Sequence, residues 1–203
     1  MRFDLISISP ANRYKLLAST IMPRPIAWVT TIDAAGKPNG APYSFFNVLG
    51  EDPPVVGFSV ADRGVGQKKD TEVNVRRSGE FVVNFVTMST LEQMNITAID
   101  FPPEVNELEV AGLATCPGAH VSVPMIAESP VSLECKLFRI VELGSSRSLI
   151  IGEVLAVHVS DAAVIDREKC HLNTSVLDLV GRMQANTYTD TRRSFQLSRL
   201  TQI

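Results

Sequence analysis

The chain has 203 residues, 45% hydrophobic and 20% charged, with a formal net charge of -3. That length supplies one substantial core, and that composition belongs to a globular protein in water. With no basic field and no apolar run near the roughly 20 residues that a bilayer demands, neither nucleic acid nor membrane is expected as a partner.

The first residues, MRFDLISISPANRYK, carry Asp4 early and no long apolar stretch, so a secretory leader is not expected. PANRYKLLAS at 10–19 predicts a helix, with Tyr14, Leu16 and Leu17 near one face. PRP at 23–25 stops it, because proline has no N–H to donate. IAWVTTI at 26–32 is β-branched and aromatic and predicts a strand; DAAGKPNG is a turn, and APYSFFNVL at 41–49 predicts the partner strand of a hairpin. After GEDPP comes VVGFSV at 55–60, then a helix opened by Asp70 as N-cap and closed by Gly79, then EFVVNFV at 80–86 as another strand. Residues 88–112 look helical in pieces. From 121 onward strands return in VSLECKLFRIVELG and SLIIGEVLAVHV, whose apolar content suggests that both faces are covered. The tail, SVLDLVGRMQANTYTDTRRSFQLSRL, is polar and mixed. No repeat or linker interrupts the sequence, so one domain over 1–203 is expected.

Strands joined by hairpins with few helices between them point to an antiparallel barrel. The only glycine-rich candidate, Gly64-Val65-Gly66, has no third glycine and no Gly-Lys-Ser/Thr ending, which excludes both nucleotide-loop motifs. Cys116, Cys135 and Cys170 are odd in number and far apart, which predicts free thiols and a cytoplasmic setting. Cys170-His171 lacks a second pair at zinc spacing, so no metal is expected; His120 and His158 read as structural.

Three segments carry chemistry together. If the strands around Trp28, Val29 and Thr30 and around Ser44, Phe45, Phe46 and Asn47 pair as a hairpin, they form a polar and aromatic wall suited to a flat heteroaromatic ligand. Arg63, Lys69 and Thr71 add cations and a hydroxyl at a helix start, where free N–H groups and the dipole favour a phosphate.

PRPIAWVTTIDAAGKPNGAPYSFFNVLGEDPPVVGFSV followed by KKDTEVNVRRSGEFVVNFV resembles the flavin reductase-like proteins. The likeness continues in AESPVSLECKLFRIVELG, IIGEVLAVHV and, more loosely, GRMQANTY, where many relatives carry a further glycine. It implies a mainly β fold, the FMN-binding split β-barrel (a Greek-key-like antiparallel barrel), with a few peripheral helices and assembly as a homodimer. It also implies that Trp28, Val29, Thr30, Ser44, Phe45, Phe46 and Asn47 line the ring and ribityl of FMN. Ser59, Arg63, Lys69, Asp70 and Thr71 would approach the phosphate, and Arg182 and Tyr188 the flavin. The implied activity is an NADH- or NADPH-dependent FMN reductase, supplying a monooxygenase partner in one version. Direct reduction of a nitroaromatic, or electron carriage without turnover, are the alternatives. Catalytic side chains are not identifiable, since the flavin carries the chemistry.

Overall fold

A computed structural model describes residues 1–64 and 66–198. Val65, the middle of the glycine-rich candidate, and the last two residues of the quoted tail lie outside the described residues. In chain order the principal elements are helix α1 (Pro10–Thr20), strands β1 (Arg24–Pro25), β2 (Ala27–Ile32), β3 (Pro38–Tyr43), β4 (Phe46–Glu51) and β5 (Pro54–Ala61), and helix α2 (Asp70–Ser78). Then come β6 (Glu80–Asn84), α3 (Leu91–Ile96), α4 (Glu107–Val110), β7 (Thr115–Cys116), β8 (Met125–Ile126), β9 (Val131–Glu142) and β10 (Arg147–Val159). The chain finishes with β11 (Val164–Asp166), β12 (His171–Leu172), β13 (Val180–Arg182) and β14 (Tyr188–Asp190).

Seven strands form one antiparallel sheet in the order β3-β2-β6-β9-β10-β5-β4. The sheet rolls up: the rings of Tyr43 on β3 and Phe58 on β5 lie 5.1 Å apart, although four strands separate β3 from β5 in the sheet order. Phe58 meets Phe81 edge-on at 5.4 Å, and Val29, Val60 and Ile150 fill the same interior. Burying each such side chain contributes about 1.5–3 kcal/mol. The architecture is the split β-barrel.

Strand β2 is buried on both faces. Ala27 and Val29 face the barrel interior, while Trp28 packs outward against Val86, Met94, Leu108 and Ile126. The expectation of two covered faces fails for β9, largely exposed beyond Cys135, and for the end of β10, where Leu155 and Val157 are exposed between half-buried residues.

Two expectations are corrected. APYSFFNVL is not one strand: β3 ends at Tyr43, Ser44 and Phe45 form a corner, and β4 leaves for the opposite edge of the sheet. Trp28 therefore stands opposite Pro42, and Phe46 stands opposite Phe58, so the hairpin that would gather Trp28, Thr30, Phe46 and Asn47 does not exist. Helix α2 ends as expected on Gly79, left-handed at φ 71°, a conformation that suits glycine. Its N-cap, however, is Lys69, with no side-chain cap bond. Asp70 is the first helical residue, and its carboxylate is drawn instead to Arg63 Nη2 at 2.7 Å.

Candidate functional site

Two neighbouring lysines at the start of α2 serve different ends. Lys68 turns toward the barrel, 3.2 Å from Asp62 and 3.2 Å from the wholly buried Glu72. Glu72 also takes Arg76 at 2.7 Å and the Ser148 hydroxyl at 2.8 Å. Burial works against the charge on Lys68, but hydrogen bonds to Asp62 and Glu72 raise its pKa overall. Lys68 is thus held by the structure itself. Lys69 points the other way, into a cleft.

That cleft begins as a narrow chamber of about 60 Å³ whose lining includes Tyr43, Arg63, Lys69, Thr71, Thr97 and Asp100. It shares Pro42 and Ala98 with a wider chamber of about 230 Å³, lined also by Tyr14, Ser44, Asn95, Arg182 and Tyr188. The two make one groove across the end of β3, walled on the other side by α3 and the turn after it.

The narrow end is rich in donors. The first N–H groups of α2, those of Asp70 and Thr71, have no acceptor among the described residues, as helix geometry requires of a first turn. The Tyr43 hydroxyl is buried without a hydrogen-bond partner among the described residues. Burial pushes its pKa well above the ordinary phenol value, so it remains an O–H donor. Thr71 is 1% exposed and donates its hydroxyl to Asn39 Oδ1 at 3.2 Å. Asn39 in turn donates to Glu107 at 2.8 Å, and burial raises the Glu107 pKa against that bond and the Gly40 N–H. Lys69 Nζ pairs with Asp100 at 3.0 Å.

The wide end is set by the tail hairpin. Arg182 and Tyr188 are register partners on β13 and β14, with the guanidinium 4.5 Å from the ring centroid and bonded to the phenol oxygen. Behind them the buried Arg24 donates to the carbonyls of Ala18, Ile21 and Met183, and its Nε reaches the Ser44 hydroxyl at 3.4 Å. One side chain so ties α1, the tail hairpin and the Ser44 corner together.

Of the residues expected from sequence, Ser44, Arg63, Lys69, Asp70, Thr71, Arg182 and Tyr188 line this groove. Phe45, Phe46 and Asn47 line an adjoining cavity of about 290 Å³ that shares Ser44 with the wide chamber, and Phe45 stacks on Tyr14 at 6.0 Å. Ser59 lies apart, accepting from Arg147 at 3.2 Å. Trp28, Val29 and Thr30 are fully enclosed, their side chains committed to the core. Thr30 donates to the Pro124 carbonyl at 2.7 Å. Sequence reasoning passed over Tyr43, Thr97, Ala98 and Asp100. Only Tyr43 stood near a marked motif.

Residues 18–173 match the family described as "Flavin reductase like domain". The chain belongs to the flavin reductase-like family. It is 46% identical to an uncharacterised protein of Deinococcus radiodurans over 204 residues, covering 98% of this chain and 89% of that one. The solved 2-nitrobenzoate 2-nitroreductase NbaA of Pseudomonas fluorescens is similar at TM-score 0.92 and 30% identity, with 100% of this chain and 98% of that chain covered. Component B of the nitrilotriacetate monooxygenase of Bacillus cereus is similar at TM-score 0.91 and 33% identity, covering 97% and 98%.

A flavin nucleotide brings a planar ring, a polyol and a phosphate, and the groove of this flavin reductase-like chain matches them in type. The unpartnered Tyr43 hydroxyl, the two free helix N–H groups and Lys69 are donors gathered where an anion would sit. The wide chamber, with Pro42, Ala98, Ser44 and Tyr188, offers flat walls edged by hydroxyls. Among the described residues no cluster of His, Cys, Asp or Glu is arranged to hold a metal, and no helix is long and apolar enough to cross a membrane.

Proposed function

We propose that this protein is an FMN-dependent oxidoreductase, most simply an NAD(P)H:FMN reductase whose reduced flavin serves a separate monooxygenase. The reading is carried by one observation: a single groove joins the Lys69–Thr71 helix start to the Ser44–Arg182–Tyr188 corner through Pro42 and Ala98. The similarity to a monooxygenase component B, at 33% identity over nearly the whole length, supports the monooxygenase version.

Bound FMN would supply the redox chemistry, taking hydride from a reduced nicotinamide at N5 and passing electrons on. The chain's own part is positioning. Lys69, Arg63 and the Asp70 and Thr71 N–H groups hold the phosphate, with Tyr43 donating beside them. Ser44, held by Arg24, presents its hydroxyl at the ring end, and Arg182 places a fixed positive charge there. Arg182 and Tyr188, held to each other, form the edge that limits water at the ring. We further propose a homodimer, supported by the exposed Val48, Leu49, Leu155 and Val157, and a reducing compartment, supported by the three free cysteines. The whole described chain acts as one domain in this reading.

The similarity to a 2-nitrobenzoate 2-nitroreductase favours a second version, in which the bound flavin reduces a nitroaromatic directly. Oxidation of NADH and NADPH by purified protein, with no acceptor, with free FMN or with 2-nitrobenzoate, tests both. Turnover that rises with free FMN supports the first version, and turnover needing the nitroaromatic supports the second. Absence of bound-flavin absorbance together with no turnover in any mixture defeats both.

A further inference from the structure

The narrow chamber holds an anion of the protein's own. Asp100, just beyond α3, reaches Lys69 Nζ at 3.0 Å and Arg63 Nε at 3.6 Å with the same carboxylate oxygen. The two chamber cations thus converge on one atom. Asp100 is itself largely exposed, its side chain at 64%, and no other side chain among the described residues bonds it. Its backbone neighbourhood is tethered nearby: Arg63 Nη2 donates to the Phe101 carbonyl at 3.3 Å, and Lys37 Nζ to that of Pro103 at 2.8 Å. The carboxylate is therefore delivered to the cations by a fixed segment, yet sits in solvent where little holds it.

Asp70 differs. It belongs to the helix, and Arg63 Nη2 holds it at 2.7 Å with both side chains about three-quarters covered. An incoming phosphate would leave that pair in place and contest only the Asp100 pair. Exposed ion pairs are weak, whereas a phosphate dianion offers more charge and more acceptors to the same donors.

We propose that Asp100 is the groove's internal counter-anion, which keeps Lys69 and Arg63 aimed inward in the unliganded protein and competes with a flavin's phosphate for them. This rests on the reading of the groove as a flavin nucleotide site. A flavin without a phosphate has nothing to exchange for Asp100, so it binds beside an intact ion pair. A flavin with one displaces the carboxylate, which swings into solvent from its tethered segment, and bears the cost of that displacement and of residual repulsion from Asp100.

Removing the charge lifts that cost for FMN alone. Titration of the full chain with FMN and with riboflavin, read by quenching of flavin fluorescence, compares the parent with Asp100→Asn. The expected result is FMN binding tighter by about two- to fivefold in the variant, the scale of one exposed ion pair, with riboflavin unchanged. Equal melting temperatures without ligand show that the variant folds, and Asp100→Ala gives the same titration if it does not. FMN affinity unchanged or weakened in both variants overturns the role of Asp100 while leaving the flavin site standing, provided the parent prefers FMN to riboflavin. Equal tightening of both flavins overturns it too, since segment mobility and not ion exchange would be responsible. A parent that binds the two flavins equally, or neither, overturns the phosphate corner and this inference together.

Discussion

The indole nitrogen of Trp28 donates to the Thr97 hydroxyl across 2.9 Å, joining a fully buried residue of β2 to the wall of the narrow chamber. Thr97 passes the constraint on by donating to the Met94 carbonyl at 2.8 Å. Trp28 acts on the groove from behind, by fixing the turn after α3. Trp28→Phe removes the donor and leaves a small void, which is expected to cost about 1–3 kcal/mol in urea unfolding. FMN binding should weaken as well, since the Thr97–Ala98 wall loses its anchor. Unchanged FMN affinity in a destabilised variant would show that the bond serves only the core.

Lys69→Ala should weaken FMN binding by about 1.5–3 kcal/mol, as expected for a charge-assisted phosphate bond, while riboflavin binding stays near the parent value. Calorimetric titration with the two flavins reads the difference. A matching loss for riboflavin would mean that the substitution disturbs the groove at large.

The wholly buried Glu134 predicts an acid limit to stability. Burial alone would raise its pKa, but the N–H groups of Ala119, His120 and Val121 and the ring of His158 outweigh it and hold the carboxyl at about 2. A lowered folded-state pKa gives stability that is fully present above the unfolded value of 4.5 and is lost as pH falls toward about 2. Glu134→Gln should therefore be less stable at neutral pH by about 2–4 kcal/mol, with the gap narrowing across that acid window. Melting curves over pH 7 to 2 check this; a gap that stays constant contradicts the assignment.

Gly152 lies in β10 where a Cβ would come within 2.3 Å of Phe81 Cζ and 3.2 Å of Cys135 Cβ. Phe81 is fully buried and cannot swing aside freely. Gly152→Ala should destabilise by about 1–3 kcal/mol, and adding Phe81→Leu should cost less than the sum of the two single changes. Denaturant midpoints of the three variants measure the coupling.

What the sequence made legible followed local chemistry. Gly79 marked the end of α2, Pro23 and Pro25 the end of α1, and the β-branched runs the positions of β2, β5, β9 and β10. The corner at Ser44 and Phe45 escaped because no Gly, Pro, Asn or Asp stands there in APYSFFNVL, and only the closing of the barrel sends Phe46 to Phe58 and not to β2. The order of Lys68 and Lys69 just before α2 was visible but their division of labour was not. It depends on Glu72 and Asp62 being buried on one side and Asp100 approaching on the other. Tyr43 and Thr97 were silent for a similar reason. Each looks like a core residue until the groove between β3 and α3 is assembled.

The central claim is that the start of α2 grips a flavin's phosphate, and a crystal structure of the protein with FMN tests it most directly. The account predicts phosphate oxygens within hydrogen-bond reach of Lys69 Nζ, the Thr71 N–H and the Tyr43 hydroxyl, with the ring lying toward Ser44 and Tyr188. A flavin bound elsewhere, with the Lys69–Asp100 pair intact and the Tyr43 hydroxyl facing no ligand atom, would contradict it.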